Sequence, residues 1–198
     1  MTSILAFTLF AIVASITPGP TNILVLTNSS RFGLAKSWPL ILGSCSAAAL
    51  IVLLTGFGLG GLLLEYSLLK EVMAWSGALW LTWMSWKLSQ SDLELDSKEV
   101  MVIAGWKSGA LLQIINPKTW MMALAVSSIF LGGDRWIETA MLAGIFFLVA
   151  IPCLICWAYL GVSSKKWFKS PRQQLWFNRC LSLMLLFSVW WSMWLDMV

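Results

Sequence analysis

Histidine is absent from the sequence, and none of its nine Asp and Glu residues falls inside an apolar run. Glu65, Glu71, Asp134, Glu138 and Asp196 stand beside such runs, while Asp92, Glu94, Asp96 and Glu99 share one hydrophilic stretch. A buried carboxylate or histidine relay, common in pumps, is therefore missing. The same scarcity removes a nucleophile triad and a metal-ligand cluster, and no glycine-rich phosphate loop is present, so neither a cofactor nor a metal is expected. Charge of either sign is thin: 11% of residues are charged and 59% hydrophobic, which excludes an ordinary soluble domain. There are four cysteines, and Cys153-Leu154-Ile155-Cys156 has CxxC spacing. That motif lies within an apolar run with no basic neighbour to stabilise a thiolate. A membrane-embedded thiol oxidoreductase would need its pairs in exposed loops, so packing is the reading of these cysteines and no enzyme is expected.

What is present is a set of long uncharged runs: Met1–Ser30, Ser37–Leu64, Val72–Trp86, Thr139–Ser164 and Cys180–Leu195, with Ser108–Gly133 interrupted only by Lys118. About 20 apolar residues cross a bilayer core, so the runs predict an all-α integral membrane protein of six transmembrane helices. The first run has no basic residue before it, and a removable signal peptide is not expected. Eleven of the thirteen basic residues fall in the connections after spans one, three and five: Arg31 and Lys36; Lys87, Lys98, Lys107 and Lys118; Lys165, Lys166, Lys169, Arg172 and Arg179. Lys70 and Arg135 fall on the other side. Short basic loops stay cytoplasmic, which predicts an inner-membrane protein with both termini periplasmic. The basic balance thus reports topology and anionic lipid contact rather than nucleic acid. Homo-oligomerisation is compatible with the sequence without being dictated by it.

The hydrophilic stretch at Ser89–Val100 divides the spans three and three. The chain reads as one transporter-like domain, 1–198, with halves at about 1–88 and 108–198 and a cytoplasmic linker at 89–107. Three spans is an odd number, so the second half would be inverted relative to the first. The first span of each half carries a polar, proline-containing break: Thr17-Pro18-Gly19-Pro20-Thr21-Asn22, and Gln113 with Asn116-Pro117-Lys118-Thr119. Paired broken helices in inverted halves are a construction of secondary transporters, which hold small polar solutes at such breaks.

Each break has its own chemistry. Pro18 and Pro20 remove the donors that would serve the carbonyls of Ala14 and Ile16, and those carbonyls could face an ammonium. A helix restarting at Pro20 presents the amides of Thr21 and Asn22 at its positive end, suited to a carboxylate. An amino acid zwitterion needs both. If the fourth span begins near Ser108, a rise of about 1.5 Å per residue puts Lys118 roughly 15 Å deep, where a lysine costs on the order of 2.5–3.5 kcal/mol and wants an anionic partner. The expected partner is the substrate carboxylate, with Gln113, Asn116 and Pro117 alongside. If the span begins at Thr119, Lys118 is an interfacial residue that snorkels. In the second span, Gly43-Ser44-Cys45-Ser46-Ala47-Ala48-Ala49, with Gly56 and Gly60, reads mainly as close helix packing, with Ser44 and Ser46 as further candidates for a cavity wall.

Taken together, the chain resembles the LysE/RhtB family of bacterial amino acid exporters over nearly its whole length. The residues that carry the resemblance are Thr17-Pro18-Gly19-Pro20-Thr21-Asn22, Gly77-Ala78-Leu79-Trp80-Leu81 through Trp86-Lys87-Leu88, Gly109 through Gln113 to Asn116-Pro117-Lys118, and Asn178-Arg179. The resemblance implies outward, proton-driven transport of amino acids or close derivatives. Many members carry an acidic residue in the second span, where this sequence has Ser44-Cys45-Ser46. That departure disfavours a cationic substrate, and the neutral span is most similar to the cysteine/O-acetylserine exporters. The rivals, a membrane enzyme or a non-transporting scaffold, would leave the paired breaks without a purpose.

Overall fold

In the computed structural model, residues 2–59, 65, 67–90, 104–131, 135–167 and 170–197 are described. Most of the expected linker, and Gly60, Asp134 and Lys169, lie outside them. The described elements are helices: α1 (Thr2–Ile16), α2 (Pro20–Phe32), α3 (Leu34–Leu54), α4 (Ser67–Gln90), α5 (Trp106–Ile115), α6 (Pro117–Phe130), α7 (Arg135–Trp167) and α8 (Pro171–Met197). A wider π turn at Thr55–Leu59 extends α3. Among the described residues, Leu34–Leu59 and Trp136–Ser164 are each long and apolar enough to cross a membrane. Ile4–Ile16 and Pro20–Phe32, bent by 56° at their junction, make a third span if taken as one broken helix.

The proline positions decide where the helices stop. Pro18 ends α1, and Pro20 opens α2 at the first helical position, where its missing N–H is not needed. Asn116 and Pro117 do the same between α5 and α6. The passage from α2 to α3 uses Gly33, whose φ of 84° lies in the left-handed region that favours glycine.

α7 is the element on which α1, α2 and α3 pack, while α5 lies along α3 and α4 pairs with α8. The α3–α5 contact is backbone against backbone. A Cβ added to Gly43 would fall on the Trp106 carbonyl, and one on Gly109 would fall on the Leu40 carbonyl. Such approach is how helices associate where lipid gives no hydrophobic driving force between them. Buried Phe7, Val25, Ile41, Ala48, Phe146 and Leu154 belong to one apolar cluster, and Leu81, Leu112 and Leu185 to a second. Large apolar side chains such as Leu5, Ile129, Leu148 and Phe187 remain more than half exposed, as a lipid-facing surface requires.

Candidate functional site

The site grows out of the last turn of α1. Its carbonyls have lost their helical donors, and three find replacements from elsewhere. Asn22 Nδ2 donates to the Ser15 carbonyl at 2.8 Å. Trp157 Nε1, on α7, donates to the Ile16 carbonyl at 3.1 Å. Lys118 Nζ, on α6, donates to the Thr17 carbonyl at 3.0 Å. The fourth carbonyl, that of Ala14, faces the position of Pro18, and among the described residues no donor reaches it. Of the two carbonyls that the prolines release, one is therefore occupied by an indole and one is open. The neighbouring Ser15 hydroxyl is buried without a partner.

Across the break, α2 starts at Pro20 after Gly19, its cap position, which supplies no side-chain cap. The amides of Thr21 and Asn22 belong to the first turn, which has no carbonyls to accept them. One stretch of Thr17–Pro20 thus separates the negative end of α1 from the positive end of α2.

The second break meets the first. Asn116 caps α6 through Oδ1, which accepts from the Lys118 amide at 3.2 Å. Trp120 Nε1 donates to the Ile114 carbonyl at 2.7 Å, so a tryptophan indole satisfies a released carbonyl at each break. Gln113 joins the two. Its Oε1 accepts from Thr21 Oγ1 at 3.1 Å, from Thr119 Oγ1 at 2.8 Å and from Asn116 Nδ2 at 3.4 Å. Its Nε2 donates to the Ser44 carbonyl of α3 at 3.3 Å. Thr21, Asn22, Gln113, Asn116 and Thr119 are all buried, and satisfied networks of this kind fix one arrangement of the helices that share them.

Between the breaks lies a cavity of about 50 Å³. One wall is polar: Ser15, Thr21, Asn22, Gln113, Asn116, Thr119 and Lys118, with Ala14, Gly19 and Pro20. The other is small and apolar: Cys45 and Ala48 of α3, Met122 of α6, and Phe146, Ala150 and Leu154 of α7. Lys118 is the sole charged residue in this lining. A space of this size takes a few water-sized groups, each needing roughly 10–15 Å³.

Of the residues singled out from sequence, Ala14, Gly19, Pro20, Thr21, Asn22, Gln113, Asn116 and Lys118 line the cavity, whereas Ile16, Thr17, Pro18 and Pro117 shape the breaks without lining it. Lys118, expected to await a carboxylate, rests on a backbone carbonyl. Ser44 contributes its carbonyl rather than its hydroxyl, which is buried without a partner, and Cys45 and Ala48 are the residues of that segment in the wall. Thr119, named as part of the second break, lines the cavity as well, whereas Ser15, Cys45, Ala48, Met122, Phe146, Ala150 and Leu154 were not anticipated as lining. The i, i+4, i+8 spacing of Phe146, Ala150 and Leu154 marks one face of α7, yet on an all-apolar helix nothing distinguishes that face from a lipid-facing one. The four cysteines are free thiols.

The model of the family described as LysE type translocator matches residues 12–189. The cysteine/O-acetylserine efflux protein of Shigella flexneri is 29% identical over 193 residues, covering 94% of this chain and 96% of its own. The protein of the same name from Escherichia coli strain K12 is 28% identical over 186 residues, covering 92% of this chain and 93% of its own. No solved structure matches the chain.

Proposed function

This chain belongs to the LysE type translocator family, and from that premise we propose that it exports small neutral amino acids or close derivatives, in the class of cysteine and O-acetylserine. The reading takes it as a proton-driven secondary transporter of the bacterial inner membrane, working by alternating access around the two helix breaks. The observation that carries it is the pairing, within one lining, of an open carbonyl at Ala14 with the uncapped amide end of α2. In this reading the substrate ammonium takes the Ala14 carbonyl and the Ser15 hydroxyl. The carboxylate takes the amides of Thr21 and Asn22, with Gln113 and Asn116 holding the second break against the first and Lys118 bordering both seats. The side chain then meets Cys45, Ala48, Phe146 and Ala150, a small apolar wall without a carboxylate to favour a basic substrate.

The same reading takes the chain as six spans in two inverted halves, about 1–88 and 108–198, with Pro18 and Pro117 in equivalent breaks. Two features support it: the matched tryptophan–carbonyl bonds at the breaks, and the bent α1–α2 pair. Both termini are expected to be periplasmic, so a cytoplasm-only reporter fused after Val198 should be inactive. The function is tested by overproducing the protein in cells preloaded with labelled cysteine, O-acetylserine or lysine. Faster loss of the first two, with lysine unaffected, is expected. Equal loss of all three, or no acceleration, would refute the assignment.

A further inference from the structure

We propose that Lys118 carries the coupled proton, its ammonium and the substrate's ammonium taking the carbonyl end of α1 in turn. The inference rests on the exporter reading above and adds to it the residue through which the driving ion acts.

The geometry sets up a competition. Lys118 Nζ already sits on the Thr17 carbonyl at 3.0 Å. Gly19 runs alongside it: a Cβ there would lie 3.4 Å from that nitrogen, in ordinary van der Waals contact. The Thr17 and Ala14 carbonyls belong to the same helix end, whose combined field is that of roughly half an elementary charge. A substrate ammonium at Ala14 would confront the Lys118 ammonium there, with no protein carboxylate in the lining to offset the second positive charge.

The groups that face Lys118 from each neighbouring element are few. α1 has no ionisable side chain, and α2 has only Arg31 in its last turn. α3 supplies the thiol of Cys45. α5 has Lys107 next to its start, and α6 has no ionisable residue besides Lys118. α7 presents Phe146, Ala150 and Leu154, its Glu138 lying in the first turn, about 12 Å along the helix from Phe146 at 1.5 Å per residue. Lys118 is therefore the basic group in the lining, the one that a proton turns into a cation.

The direction of coupling follows. Were Lys118 to take its proton from the cytoplasm when it binds the substrate carboxylate and release it with the substrate outside, proton and substrate would leave together, and an inward proton gradient would oppose export. Competition sends them in opposite directions. With the site open outward and empty, the neutral Lys118 amine takes a proton from external water and seats it on the Thr17 carbonyl. With the site open inward, the substrate ammonium takes the carbonyl end and Lys118 gives its proton to cytoplasmic water. One proton enters for each zwitterion that leaves.

The test uses purified wild-type, Lys118→Met and Lys118→Arg proteins in liposomes, followed with labelled O-acetylserine. Wild type should exchange substrate without a gradient and accumulate it at least tenfold against an imposed pH gradient, and its apparent KM should rise as pH falls. Both variants should retain exchange at a reduced rate, lose accumulation to the level of protein-free vesicles, and show a KM that no longer varies with pH. Arginine fails alongside methionine because it does not release its proton in the accessible range. Accumulation that survives in Lys118→Met would overturn the proposal. So would a parallel loss of exchange and accumulation, which would make Lys118 a binding or structural group only. Absence of exchange by wild type would instead refute the exporter reading. Proton release on ligand binding, measured by calorimetry in two buffers, then judges Lys118 independently: about one proton per ligand for wild type and none for Lys118→Met is expected, and equal release by both would overturn it.

Discussion

Pro18→Ala is expected to abolish most export, at least tenfold, while leaving the protein as stable as wild type or more so. Alanine returns an N–H to the position that faces the Ala14 carbonyl, so the open acceptor gains its helical donor. A hydrogen bond of this kind contributes about 0.5–1.5 kcal/mol. Loss of the rigid proline from the unfolded chain works the other way by about 0.4–1 kcal/mol, which keeps the net change in stability small. Pro20→Ala is the contrasting case. The Ile16 carbonyl already has the Trp157 indole, and proline at the first position of α2 is replaceable, so export should fall about threefold or less. Efflux of labelled substrate and thermal midpoints in detergent measure both variants. Equal export by Pro18→Ala and wild type would mean that the Ala14 carbonyl does not receive the substrate.

Gln113→Leu is the second large effect. Leucine fills the space and removes the acceptor shared by Thr21, Thr119 and Asn116. Each buried donor left without a partner costs roughly 1–3 kcal/mol, and the link between the two breaks is severed. A loss of several kcal/mol in stability by this estimate, with export down more than tenfold per inserted molecule, is expected. Thr21→Ala removes one donor and strands nothing, and should cost only about 1 kcal/mol. Chemical denaturation in detergent, read alongside efflux, separates the two. Similar stability losses for Gln113→Leu and Thr21→Ala would show that the three-donor hub has no special weight.

The helical membrane class and both breaks were legible because they rest on local chemistry. An uncharged run announces a membrane helix, and a proline announces which carbonyl loses its donor. The state of those carbonyls was not legible. Ile16 is satisfied by a tryptophan far along the chain, and nothing near Ile16 distinguishes it from Ala14. The same limit explains the second span. Ser44 and Ser46 attract attention as polar residues, but each residue turns a helix by about 100°, and the face that meets the cavity is that of Cys45 and Ala48. Phe146, Ala150 and Leu154 were invisible for a related reason: lipid and a small apolar pocket ask for the same side chains. Lys118 lay between two readings because the depth of a lysine depends on where its helix begins. In the structure Lys118 lines the cavity and donates to the Thr17 carbonyl.

The central claim is that substrate passes through the cavity between the two breaks. Its most direct test is efflux from proteoliposomes preloaded with labelled O-acetylserine, comparing wild type with Ala150→Phe, which puts a ring into the apolar wall beside Phe146 and away from every polar contact of the network. The account predicts efflux well above protein-free vesicles for wild type and none above that level for a folded, inserted Ala150→Phe protein. Undiminished efflux through the plugged variant would contradict it.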